Sequence, residues 1–205
     1  MLAFPPSEVH VPVKAPEGTD YIKGLEFSES SECKKQFKSA VESGRKFCQE
    51  YLKEHPNDRN LAIVSDLDET LLDNREEFRA HPTHDWAPFD AWVAEARAPS
   101  LKETDEFLTW ARKQGIAIFF ITGRPEHDRR ATIQNLVKIG ASYDGLYLRP
   151  EHNKVKAEVY KTAVREEIEK MGFKILVTIG DQDSDLAGGH ALDCEKLPNR
   201  MYFIP

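Results

Sequence analysis

No apolar run in this 205-residue chain approaches the roughly 18 residues of a membrane-spanning helix, which excludes an α-helical integral membrane protein. Basic charge is in short supply: Lys and Arg number 28 against 35 Asp and Glu, for a formal net charge of -7. Such a surface repels a polyanion, so a nucleic-acid polymer is a poor partner. Cysteine is rarer still. Cys33, Cys48 and Cys194 cannot all pair within the chain and show no metal-ligand spacing, so the cysteines leave the compartment open. The opening residues Met1 to Pro6 lack the basic and apolar regions of a secretory signal; a cytosolic protein, or one that starts after a removed signal, is expected. No internal repeat is present.

What the chain does contain suits a packed body: 40% hydrophobic and 31% charged residues, at a length that implies one domain or one domain carrying an insertion. Residues 1–29 hold Pro5, Pro6, Pro12 and Pro16 without periodicity and are expected to form an extended coil arm. From Ser30 to Glu54 the apolar residues Cys33, Phe37, Ala40, Val41, Phe47, Cys48 and Leu52 recur at mostly helical steps, ahead of Pro56, and predict an amphipathic helix. Cys33 and Cys48 on one such helix lie about 22 Å apart and cannot bond each other; they read as small buried apolar groups.

Short, nearly unbroken apolar runs follow, at residues 61–64, 116–121, 146–148 and 175–179, and each reads as a strand buried on both faces. Helices are predicted between them at 101–114, at 125–139 opening on Pro125, and at 155–171. The alternation predicts an α/β fold: a doubly wound, mainly parallel sheet with helices on both faces and right-handed crossovers. Residues 73–99 break the rhythm with Pro82, Pro88 and Pro99 and the aromatics Trp86, Phe89 and Trp92. They predict a small cap inserted after the first strand, the three rings forming its private core.

Working groups in such sheets sit at the carboxyl ends of strands, and there this sequence puts its carboxylates. The first strand runs into Asp66-Leu67-Asp68-Glu69-Thr70, the second into Thr122-Gly123-Arg124, and the last into Gly180-Asp181-Gln182-Asp183-Ser184-Asp185. A cluster of at least four carboxylates repels itself unless a hard cation compensates it, and Mg²⁺ suits a few carboxylates, a carbonyl and retained waters.

These motifs, in this order and with a lysine before the last, resemble the four motifs of the haloacid dehalogenase superfamily of phosphotransferases. The tail from Lys196 to Pro205 and the segment Tyr160-Lys161-Thr162-Ala163-Val164-Arg165 are more narrowly similar to the subfamily IIIB acid phosphatases. That group includes plant vegetative storage proteins and class B-like bacterial relatives, and the similarity covers about residues 30–205. The resemblance implies a Rossmann-like core and an Mg²⁺-dependent phosphatase that hydrolyses small-molecule phosphomonoesters through an aspartyl-phosphate intermediate. It also implies a periplasmic or secreted setting. Metal ligands in the family correspond here to the Asp66 carboxylate, the Asp68 backbone carbonyl and the Asp181 carboxylate, with Asp185 in or beside that set.

The chemistry can be assembled from the residues. Asp66 is the expected nucleophile, and Asp68 the acid that protonates the leaving oxygen and then the base that activates water. The Thr122 hydroxyl, the Gly123 N–H and a helix N-terminus after Pro125 are expected to hold the phosphoryl oxygens. Lys154, Lys156 and Lys161 all precede the last strand at a plausible distance; Lys161 is chosen because it borders the apolar stripe of Ala157, Val164 and Ile168 and matches the subfamily's Tyr-Lys-x-x-x-Arg. Four carboxylates and a phosphate dianion against Mg²⁺ and Lys161 leave the occupied site about three units negative, so one carboxyl is expected to carry a proton. Asp68 is the one whose task requires it, and an acidic pH optimum follows. Asp183 is expected to point away from the metal as a solvated carboxylate, and His81 and His84 to lie on the cap surface rather than bind a cation. His127 and His190 follow the second and fourth motifs and carry no assignment.

Two other readings share this composition. A phosphoryl-accepting receiver domain has its acidic pair first and its lysine last, the reverse of the order here. A non-catalytic storage or binding relative is disfavoured because Asp66, the nucleophile position, is present.

Overall fold

The computed structural model describes residues 21–82, 86–151 and 155–204, without the Trp86 side chain. Helix α1 (Tyr21–Glu29) occupies the last part of the segment expected to be an extended arm, and corrects that expectation; residues 1–20 of the arm lie outside the described residues. Its cause is tertiary rather than local. Gly24 packs so tightly on the C-terminal tail that an added Cβ would lie 2.2 Å from the Arg200 carbonyl oxygen, and the Tyr21 ring meets Phe78 edge-on at 5.8 Å. Arg75 also donates to the Ser28 carbonyl at 3.2 Å. Packing of this kind overrides weak local propensity.

Helix α2 (Ser31–Glu54) starts where Ser30 accepts the Cys33 N–H at 3.1 Å, an N-cap that occupies one of the first-turn donors. Its buried line of Cys33, Phe37, Val41, Gly44 and Cys48 follows steps of three and four. All three cysteines are free.

Five parallel strands form the sheet: β1 (Leu61–Ser65), β2 (Ala117–Pro125), β3 (Gly145–Arg149), β4 (Lys174–Gly180) and β5 (Asp193–Lys196), in the order β3-β2-β1-β4-β5. The strands alternate their side chains between two cores. Leu61, Ile63, Ile118, Phe120 and Ile179 face α2 and α5 (Lys102–Lys113), while Ala62, Val64, Phe119, Ile121 and Ile175 face α7 (Ala157–Lys170). Helices therefore cover both faces, as a doubly wound sheet requires, and each fully buried aliphatic side chain contributes about 1.5–3 kcal/mol.

The strand β5 has no counterpart among the predicted runs. Asp193-Cys194-Glu195-Lys196 is polar because it lies at the sheet edge, where charged residues discourage further pairing. The helix expected to open at Pro125 is also displaced. Extended backbone continues through Thr122, Gly123 and Arg124 to Pro125, a 3₁₀ turn covers Glu126–Asp128, and α6 runs only from Arg129 to Lys138.

The insertion between β1 and α5 contains α3 (Arg75–Ala80) and α4 (Trp86–Glu95), and the Asp73 N–H donating to Pro99 O at 2.9 Å closes its base. The expected private aromatic core is corrected here. Trp92 is buried in the main core and donates its indole N–H to Asn74 at 2.8 Å, whereas Phe89 stacks on Phe78 at 6.0 Å. No helix among the described residues is long and apolar enough to cross a membrane.

Candidate active site

Parallel strands aim their carboxyl ends at one edge, and three of them end in the motifs singled out above. Asp66 directly follows β1, and its N–H donates to Ile179 O of β4 at 3.0 Å, which ties the residue to the sheet. Its carboxylate lies in a buried group with those of Asp181 and Asp185, the three offering oxygens within 4.8 Å of one another. Lys161, buried on α7, reaches into the group from the other side: its Nζ is 2.7 Å from Asp66 Oδ1 and also bonded to Asp185 Oδ1.

One lysine does not neutralise three buried carboxylates. Burial raises the Asp66 carboxyl well above the usual range, Asp185, Asp181 and Asp68 adding to the rise against the pull of Lys161. Burial and Asp185 push Asp181 up to about 6. Burial alone would lower the Lys161 ammonium, but Asp185 and Asp66 outweigh it and hold the charge. All-oxygen donors with surplus negative charge fit a hard divalent cation, so Asp66 and Asp181 could hold one. Asp185 belongs to the same candidate group, with its second oxygen accepting the Gln182 N–H at 2.8 Å. Arg165, fully buried, donates to Asp185 O at 2.7 Å and braces the loop from below.

Asp68 sits at the edge of this group. Arg124, itself buried, forks onto it with Nη2 2.6 Å from Oδ1 and Nε 3.0 Å from Oδ2, and Asn74 donates to Oδ1 at 2.9 Å. Arg124 and the buried Glu69 add one charge of each sign to the site's carboxylates and Lys161. Burial pushes the Glu69 carboxyl well up, with Asp68 and Asp181 adding to the rise, although Tyr202 and Asn74 donate to it. The upward pressure thus falls on Asp66, Glu69 and Asp181.

Thr122 is buried and its hydroxyl accepts the Arg124 N–H at 3.1 Å; Gly123 is exposed at the strand end. Asp183 points outward onto Lys196 at 2.8 Å. Lys156 is exposed, and Lys154 and His84 lie outside the described residues. Among the histidines singled out in the sequence, His81 pairs with Glu77 and His127 with Glu151 at 2.8 Å each, and His190 with Glu169 at 2.5 Å.

Several residues at the site escaped the motif reading. Arg124 and Arg165 stand inside quoted motifs as their third and last members, so the signal was present without a partner to interpret it. Asn199 and Tyr202 likewise stand inside the quoted tail, while Asn74 carried no signal, since its contact with the site is made only by the folded chain.

An Asp-led motif at the end of a central parallel strand, with Thr, Lys and a further acidic loop gathered at the same edge, defines a protein of the haloacid dehalogenase superfamily. Residues 9–205 match the family of HAD superfamily, subfamily IIIB acid phosphatases, and the chain belongs to it. Acid phosphatase 1 of Solanum lycopersicum is 36% identical over 149 residues, covering 69% of this chain and 58% of that protein's length. The stem 28 kDa glycoprotein of Glycine max is 31% identical over 204 residues, 95% of this chain and 76% of that protein. The class C acid phosphatase of Bacillus anthracis has the same fold, with a TM-score of 0.70 at 22% identity over 90% of this chain and 86% of that one.

Proposed function

We propose that this chain is an Mg²⁺-dependent acid phosphatase that hydrolyses small-molecule phosphomonoesters through a phosphoryl group carried on Asp66. The observation that carries the reading is the buried Asp66 carboxylate at the end of β1, 2.7 Å from Lys161 and grouped with Asp181 and Asp185. Asp66, the Asp68 carbonyl and Asp181 are the residues that would hold Mg²⁺. When bound, the cation neutralises charge on the phosphoryl oxygens.

Each chain group then has one task. Lys161 fixes Asp66 and adds positive charge beside the transferring phosphoryl group, and Thr122 and Gly123 offer a hydroxyl and an N–H to its oxygens. Asp66 attacks phosphorus as Asp68 gives its proton to the leaving alcohol. Asp68 next takes a proton from water, whose oxygen attacks phosphorus and frees Asp66 and inorganic phosphate. Arg124 holds Asp68 in place through both steps. Asp185 keeps Lys161 aimed at Asp66. The insertion of residues 73–99 serves as the cap over the entrance. A secreted or periplasmic setting is part of this reading, supported by the family resemblance and by a relative named as a glycoprotein.

A screen of phosphomonoesters with Mg²⁺ and with EDTA tests it. Hydrolysis that requires Mg²⁺ supports the reading. Failure to hydrolyse any monoester with Mg²⁺ present, or full activity in EDTA, overturns it.

A further inference from the structure

Asp181 is held by the far end of the chain. Its Oδ2 accepts two carboxamide donors, Gln182 Nε2 and Asn199 Nδ2, each at 2.6 Å, whereas among the described residues Oδ1 has only the Thr70 hydroxyl at the outer limit of 3.5 Å. Neither carboxamide is free to turn. Asn199 Oδ1 accepts the Met201 N–H at 2.8 Å, and Gln182 Oε1 accepts the Ile204 N–H at 2.9 Å. A backbone N–H only donates, so the side-chain atom facing it must be oxygen and the NH₂ must face Asp181. Two N–H groups of the C-terminal tail therefore lock two amides, and both amides occupy the same carboxylate oxygen.

An ionised carboxylate oxygen offers about two lone-pair sites, so Oδ2 is filled and Oδ1 remains for a cation. A cation that takes one oxygen from Asp181 suits this arrangement, and one that grips both oxygens must first displace two hydrogen bonds. Mg²⁺ demands near-octahedral geometry at short distances, while Ca²⁺ takes six to eight oxygens and accepts bidentate carboxylates. We infer that the C-terminal segment 199–204, acting through Asn199 and Gln182, restricts Asp181 to single-oxygen coordination and so selects Mg²⁺ over Ca²⁺. This rests on the reading of Asp181 as a metal ligand. Asn199 is a positioning residue, acting only through Asp181.

Isothermal titration of the full chain with Mg²⁺ and with Ca²⁺, without substrate, tests the inference independently of turnover. Asn199→Ala and Gln182→Met each remove one donor and keep Asp181, and their folding is checked by circular dichroism; if one fails to fold, the other decides. Tyr202→Phe is the control, since it removes the tail's bond to Glu69 and leaves both carboxamide donors to Asp181 in place. Removing partners that orient a metal ligand typically costs about 10–100-fold in affinity. The Mg²⁺ dissociation constant should rise by about tenfold in Asn199→Ala or Gln182→Met and that for Ca²⁺ by less, so that the preference shrinks. Tyr202→Phe should keep the wild-type preference. Equal weakening of both cations in all three variants, or no change in the two amide variants, overturns the inference. A wild-type chain that binds neither cation overturns the ligand reading as well, and the wild-type titration separates that failure from the other.

Discussion

Lys161 Nζ lies 2.7 Å from Asp66 Oδ1 although 95 residues separate them. The contact joins the end of a central strand to the first turns of α7, and both side chains are buried. An ion pair in such a place is costly to desolvate and gives little net stability, which points to a working role.

Replacing Lys161 by Met should therefore lower kcat by about 10²–10³-fold, the range seen when one preorganised charge is removed from a reacting site. Lys156→Met should change kcat little, because Lys156 is exposed. Steady-state kinetics on an aryl phosphate at saturating Mg²⁺ measure both. Sensitivity of Lys156 with tolerance at Lys161 would contradict the assignment.

Gly180 lies so close to the acidic loop that an added Cβ would fall 2.2 Å from Asp185 Oδ2. Gly180→Ala must push Asp185 off the Gln182 N–H and off Lys161. Overpacking of a tight site costs about 1–3 kcal/mol. Urea denaturation should show a loss of that size together with reduced activity, and wild-type stability in this variant would refute the close approach.

The parts of this fold that were legible in the sequence are those whose cause is local. The runs containing Ile63, Phe120, Leu148 and Val177 are buried strands because little but a parallel sheet covers both faces of such short segments. The sequence marks Asp66, Thr122, Lys161 and Asp181 as candidates because they stand at strand ends or on an apolar helix stripe. The illegible parts are caused by tertiary contact. Helix α1 exists against Arg200, strand β5 is polar because it is an edge, and Trp92 belongs to the main core because its indole reaches Asn74. Arg124 could be read as a motif member but not as the partner of Asp68, since the two stand 56 positions apart.

The raised Asp181 carboxyl carries a pH dependence whose sign is fixed. Its folded value of about 6 exceeds its usual value of 3.8, so its contribution to stability is complete below the usual value and is lost as pH rises through about 6. Asp66, raised by burial, acts in the same direction. Metal-free protein should lose stability from these groups over that interval, and bound Mg²⁺ should restore more at neutral pH than at acid pH. Mg²⁺ at about a hundred times its dissociation constant adds about 2.7 kcal/mol. Melting temperatures with and without the same Mg²⁺ concentration, at about pH 4.5 and about pH 7.5, measure the increment. An increment as large at the acid value would contradict the assignment of Asp181.

Everything in the proposed chemistry depends on Asp66 carrying the phosphoryl group. Acid-quenching the protein during turnover of a phosphomonoester, followed by mass spectrometry of its peptides, tests this most directly. One phosphoryl group on Asp66 is the expected result, with none on Asp68, Asp181 or Asp185 and no turnover in Asp66→Asn. Sustained turnover by Asp66→Asn, with no phosphorylated aspartate in either protein, would contradict the account.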